Sequence, residues 1–347
     1  MSELTNSIMQ LEDNLVLDDL FDNLRLNLPN EYYPTSANYK FEDGTVIGKC
    51  LRAQWLEKKN IAKEKNNLRT KHIFEFGELI ERFTIEKHKR LGIYWKEQVS
   101  FGWPIEYLSQ KDKTYKQIII RGRFDEIVML GAKVVGNEIK SGSGQHFLRQ
   151  HITGYKRGPR TKSQPHLINQ LQSAPKPDNL LQVGIYLLYS KLELPKYING
   201  ITIDEWHLEY RATDTKLGAE YVITLEENGG LHKIRAKRIY VSANQETDEP
   251  LMDYDQLDLK TEEVDIELKD IYVEKIIERF IYLNELLEQN IVPECDYDLT
   301  KDDKGKSKDW QCDYCPYKYL CQNLPQQQFE GDYLGVFSTG IKPAITR

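Results

Sequence analysis

The clearest periodic stretch of the chain lies at residues 269–289, where Ile276, Ile277, Phe280, Leu283, Leu286 and Leu287 repeat with helical spacing and predict an amphipathic helix. A second helix is expected over residues 71–90, with Ile73, Gly77, Ile80, Glu81 and Thr84 on one face. Residues 179–192 are apolar on every side, the pattern of a helix that is buried all round. Residues 118–140 change to short apolar runs on either side of Gly131, which reads as a β-hairpin, and residues 198–243 read as strands with a turn at Asn228-Gly229-Gly230. A short helix is expected around Cys50, Arg52, Trp55 and Leu56. Residues 1–45 read as an acidic helical segment followed by a Tyr/Pro/Asn-rich loop, and 141–177 as a long loop with local helix.

This order of elements predicts an α/β protein. Its expected organisation is a segment at 1–45, a single domain at 46–325 and a loosely held tail at 326–347. Within the domain, the core covers about 70–200, accessory strands 198–243, and a cysteine module Cys50 plus 295–325. The 347 residues can bury a sizeable core, no apolar run is long enough to span a membrane, and no basic-then-apolar leader opens the chain. A cytoplasmic location is therefore expected. The net charge of −7 argues against a role of simply coating DNA, but not against an enzyme that gathers its basic residues in one cleft.

In the hairpin sequence IIIRGRFDEIVMLGAKVVGNEIKSGSG, a turn centred between Gly131 and Ala132 sets Asp125 opposite Glu138. Period-two alternation then puts Glu138 and Lys140 on one face. Two facing carboxylates repel each other, and a divalent cation relieves this directly. Two acids and a lysine are also what metal-assisted phosphodiester hydrolysis needs: the acids hold Mg²⁺ or Mn²⁺, and the lysine orients water or stabilises developing charge. Glu81, on a largely apolar helix face beside Gly77, is a candidate third metal ligand. Gln182 and Tyr186, one turn apart in the buried helix, need polar partners and are candidates to reach the hairpin.

No Asp or Glu occurs from Ser141 to Pro177, where Arg149, Lys156, Arg157, Arg160 and Lys162 fall with His146, His151 and His166. This basic loop directly follows the candidate catalytic strand and is the expected DNA-gripping surface; Phe147 and Tyr155 are candidates for base stacking. The five cysteines form no disulfide framework. Cys312, Cys315 and Cys321 form a C-x2-C-x5-C run, with Cys50 and Cys295 as candidates for a fourth thiolate. Zinc and a 4Fe–4S cluster both accept four thiolates. Gly305-Lys306-Ser307 superficially resembles the end of a phosphate loop, but Thr300 replaces the required glycine.

Taken in order, these segments resemble the RecB-like branch of the PD-(D/E)XK nucleases, including CRISPR-associated iron–sulfur exonucleases. GRFDEI is similar to the family's G-x-x-D strand, NEIKSG to its E-x-K strand and QVGIY to its Q-x-x-x-Y helix. CLRAQWL resembles the family's early Cys-containing segment. The resemblance implies a mixed central sheet flanked by helices (a restriction-endonuclease-like core) with a C-terminal iron–sulfur segment. It implies Asp125 and Glu138 as metal ligands and Lys140 as the catalytic lysine, with Gln182 and Tyr186 in the site. It also implies a 4Fe–4S cluster on Cys50, Cys312, Cys315 and Cys321, with structural Zn²⁺ as the alternative. Many relatives carry histidine at the position of Glu81, a departure that resembles phage-type exonucleases. The function implied is a Mg²⁺- or Mn²⁺-dependent DNA exonuclease on single-stranded ends, with a helicase or a recombination or CRISPR-adaptation protein as partner. The alternatives are an endonuclease of the same superfamily and a DNA-binding module with little activity alone.

Overall fold

A computed structural model describes residues 30–61, 68–154, 164–169, 171–197, 201–215, 217–241, 263–300 and 309–323. The elements, in chain order, are β1 (Glu31–Tyr32), β2 (Asn38–Lys40), β3 (Val46–Gly48), α1 (Leu51–Lys58), α2 (Leu68–Leu91), β4 (Tyr94–Leu108), β5 (Tyr115–Leu130) and β6 (Lys133–Gly142). After them come α3 (Pro177–Leu192), β7 (Glu205–Ala212), β8 (Gly218–Asn228), β9 (Leu231–Val241), β10 (Val264–Asp265), α4 (Val273–Glu288), α5 (Trp310–Asp313) and α6 (Lys318–Asn323). Short helical turns lie at Pro34–Ser36, Gly144–Leu148 and Leu194–Tyr197, and a π-turn at Arg149–Thr153.

Eight strands make one mixed sheet in the order β1-β5-β6-β7-β8-β9-β10, with β4 also on β5. The β1–β5 and β6–β7 pairs are parallel and the others antiparallel. A parallel β6–β7 pair needs a crossover, and α3 supplies it. Helix α3 runs between the sheet and α4, which explains its lack of a polar side: Leu180 through Ser190 are all buried. Gly184 permits this approach, since a Cβ there would stand 2.5 Å from Ile234 Cδ1. Helix α2 packs on β4, β5 and β6. Among the described residues, no helix is long and apolar enough to cross a membrane.

Two expectations change. Residues 30–45 do not stand apart from the domain, because β1 pairs with Ile119 and Ile120 of β5. Tyr32 is buried against Phe280, with ring centroids 5.2 Å apart, and donates to Asn284 Oδ1 at 2.9 Å. The strands at 198–243 are likewise not accessory, since β7 to β9 continue the same sheet. Strand β4 was not expected at all. It holds Pro104 in its middle, which is tolerated because β4 lies at a sheet edge and its outer N–H groups need no strand partner. Residues 1–29 and 324–347, which include the expected N-terminal helix and the tail, lie outside the described residues, as does Gly305-Lys306-Ser307.

Candidate active site and thiol centre

Strand β4 takes one edge of β5 along most of its length, from Tyr94–Val128 to Leu108–Tyr115. The other edge is shared. β1 pairs at Ile119 and Ile120, and β6 pairs from Glu126–Asn137 to Leu130–Lys133. Between them, on this edge alone, residues 121–125 have no partner strand among the described residues, and a cleft of about 680 Å³ opens there. Asp125, Glu138, Lys140, Gln182 and Tyr186 all line it. Tyr33 and Thr35, just after β1, also line this cleft.

The hairpin register is the expected one, with Gly131 and Ala132 as its turn. The ladder nevertheless stops one pair short of Asp125 and Glu138. Phe124 packs on Tyr186 and Trp206 on the α3 side, whereas Glu126 bonds to Asn137 and His88 on the α2 side. A regular strand would send residues two apart to the same face, so the alternation of β5 breaks at Asp125. Gln98 of β4, which falls between the Glu97–Glu126 and Val99–Phe124 pairs, has φ +54°. Because of this break, Asp125 Oδ2 accepts the Ile139 N–H at 3.1 Å. Beyond Asn137, β6 continues beside β7 alone.

Glu138 is 1 % exposed. Its Oε1 accepts Gln182 Nε2 at 2.7 Å and also the Lys140 ammonium. Gln182 Nε2 also donates to the Tyr186 hydroxyl at 2.8 Å, which in turn donates to the Arg123 carbonyl at 3.0 Å. Glu138 Oε2 is buried without a partner among the described residues, and so is free to accept a cation. From α2, Glu81 accepts a bond from Gln98 and feels the charge of Asp125.

Burial, reinforced by the charge of Asp125, pushes the Glu138 carboxyl up to about 8. Burial also raises Asp125, and burial together with the Asp125 charge raises Glu81. Burial opposes the charge on Lys140, but the carboxylates of Glu138 and Asp125 outweigh it and raise the ammonium's pKa. In the unfolded chain Glu138 releases its proton near 4.5, and in the fold only near 8. The metal-free fold therefore loses stability as pH rises through that window. A divalent cation that displaces this proton should bind more tightly as pH rises from 6 to 8 (roughly, from these shifts). Titration calorimetry of Mn²⁺ in two buffers of different ionisation heat should show proton release; equal heats would contradict it.

Gln98, Arg121 and Arg123 also belong to this region, and no sequence motif marks them. The two arginines line the cleft, and their period-two spacing with Asp125 is the only signal of it. Nor does a motif mark a buried network in which His88 Nδ1 lies 2.8 Å from Glu126 Oε2 and Asn137 Nδ2 donates to Glu126 and Glu209. This network fastens α2, and so Glu81, to the strand that carries Asp125. Of the expected DNA-gripping residues, Arg149 is exposed on the π-turn and does not line the cleft. Lys156, Arg157, Arg160 and Lys162 lie outside the described residues, as does Tyr155. His151 and His166 do not add to a basic surface: burial lowers each to about 4, and each bonds a backbone carbonyl. Phe147 covers Gly142 and meets His151 edge-on, so it packs within the fold.

A second cavity, of about 370 Å³, is lined by Cys50, Cys295, Cys312, Cys315 and Cys321. The structure thus brings both candidates for the fourth thiolate to the C-terminal run. Cys50 is the N-cap residue of α1, and its Sγ lies 4.0 Å from that of Cys295. Arg52, the second residue of α1 and 1 % exposed, donates to the Pro293 carbonyl at 2.6 Å and to the Cys321 carbonyl at 3.3 Å. No carboxylate pairs with this guanidinium among the described residues; Cys321 Sγ stands 3.7 Å away. A buried cation needs a countercharge, and thiolates bound to a metal supply one. Among the described residues, no three His, Cys, Asp or Glu side chains are closed at ligand distance around one point. They converge instead on the two cavities.

No protein-family model matches this sequence. No curated protein matches it either. Among solved structures, the crystal structure of SSO0001 is similar at 12 % identity and a TM-score of 0.34, over 92 % of this chain and 96 % of that one.

Proposed function

We propose that this protein is a metal-dependent deoxyribonuclease of the PD-(D/E)XK type. The observation that carries the reading is the stretch of β5 left open on its β1/β6 edge, where Asp125 and Glu138 meet Lys140 and Glu138 Oε2 is buried without a partner among the described residues. Asp125 and Glu138, with Glu81 beside Asp125, are the residues that would hold Mg²⁺ or Mn²⁺; hard oxygen donors suit these ions. Such an ion, when bound, polarises a phosphate oxygen and makes a bound water acidic. Lys140 holds a positive charge beside Glu138, where it can orient a water or stabilise charge on the phosphate. Gln182 fixes Glu138 Oε1 by a hydrogen bond and is held in turn by Tyr186. Arg123 gives the cleft positive charge in a protein of net charge −7, whereas Arg121 is paired with Glu31 at 2.8 Å.

The proposed substrate is single-stranded DNA with a free end, and the proposed mode exonucleolytic. The test compares linear with circular single strands of one sequence, in Mg²⁺ and in Mn²⁺. Degradation of the linear form alone is expected. Equal cutting of the circle would assign an endonuclease of the same superfamily. A second element of the proposal is a structural centre held by cysteine thiolates, read as a 4Fe–4S cluster with zinc as its rival. The buried Arg52 guanidinium beside Cys321 supports an anionic thiolate centre of either kind. Iron and zinc analysis of anaerobically purified protein separates the two.

A further inference from the structure

We propose that Cys50 and Cys295 are interchangeable holders of the fourth position of the thiolate centre, so that five thiols serve four sites. This rests on the cysteines being metal ligands and is independent of the nuclease reading. Cys312, Cys315 and Cys321 come from one short run and supply three thiolates. The remaining position faces two sulfurs rather than one. Cys50 and Cys295 are both free thiols, 4.0 Å apart, on the wall of the same cavity. Cys295 is not peripheral, because it lines the same cavity as Cys312, Cys315 and Cys321.

Geometry makes exchange easy. Around zinc, ligand sulfurs about 2.3 Å from the ion stand roughly 3.8 Å from each other, and the thiolates of a 4Fe–4S cluster, each on its own iron, stand farther apart. Cys50 Sγ and Cys295 Sγ, 4.0 Å apart, are close enough for either to reach one ligand position by side-chain rotation. The two residues also sit on one rigid support. Asp296, next to Cys295, accepts the Leu51 N–H at 2.6 Å and the Asn38 amide at 3.1 Å, and Arg279 holds its other oxygen at 2.7 Å. Loss of either thiol thus leaves the other in place against the three remaining cysteines.

The test measures iron and zinc content and visible absorption of the anaerobically purified full chain, comparing Cys50→Ser, Cys295→Ser, the double variant and Cys312→Ser. Serine is nearly isosteric, and at Cys50 it is a favourable N-cap residue. Each single variant at 50 or 295 is expected to keep a metal content within about twofold of wild type. The double variant should lose at least about tenfold, as Cys312→Ser does. A Cys50→Ser or Cys295→Ser protein as empty as Cys312→Ser would overturn the exchange. Cys50→Ala and Cys295→Ala, checked for native circular dichroism, separate loss of a ligand from loss of fold. A wild type without iron or zinc would instead remove the metal reading itself, and the exchange with it.

Discussion

Asp125→Asn is expected to remove metal-dependent cleavage, by on the order of 10³-fold or more, while making the metal-free protein more resistant to heat. The two effects share a cause. Burial raises the Asp125 carboxyl, so its charge is unfavourable in the fold until a cation offsets it. Asparagine removes that charge and keeps an oxygen for the Ile139 N–H, so the splayed junction of β5 and β6 should survive. Manganese should raise the melting temperature of the wild type and leave that of the variant unchanged. Lys140→Met provides the contrast. It should also lose cleavage, yet still bind Mn²⁺, because lysine is not a ligand and its removal leaves both carboxylates in the cleft. Thermal melts and calorimetry with Mn²⁺ read these outcomes. An Asp125→Asn protein that still binds Mn²⁺ like wild type would sink the assignment of this carboxylate.

Stripping the thiolate centre should be the most destabilising treatment of the protein. With Cys50 as a ligand, the proposed centre would join opposite ends of the chain and so close a very long loop. Removal also strands Arg52, whose nearest candidate countercharge is the Cys321 sulfur. Leaving a buried charge without its partner costs about 3–5 kcal/mol. Denaturant unfolding of loaded and chelated protein measures the difference. The Arg52→Met variant isolates its origin: it should lose less on chelation than wild type, because no cation is left uncompensated. Equal losses in the two proteins would show that Arg52 does not answer to the thiolates.

Several of these features could be read from sequence because they depend on local pattern. Gly131 between apolar runs set the hairpin turn, and counting outward from it placed Asp125 near Glu138. The all-round apolar character of 179–192 marked a buried crossover helix, which made Gln182 and Tyr186 conspicuous. Other features depend on partners distant in the chain. The break in β5 lies opposite Gln98, in a strand whose Gly102 and Pro104 obscure its pattern. β1 is two residues long within a loop-like sequence, and becomes a strand only because Tyr32 finds Phe280 and Asn284. Spacing marked Cys312, Cys315 and Cys321 as a set. Nothing local marked Cys295 as their neighbour, because Asp296 brings its segment to α1. The role of residues 141–177 was read from charge alone, and the buried histidines show how far composition can mislead about a surface.

The most direct test of the central claim is cleavage of end-labelled single-stranded DNA by anaerobically purified wild-type protein, with Mn²⁺, with Mg²⁺ and with chelator, alongside Asp125→Asn. The expected result is shortening of the strand that requires the divalent ion and is absent from the variant. An intact, metal-loaded wild type that binds the strand without cutting it, or a variant that cuts as well as wild type, would contradict the reading of this cleft as a nuclease site.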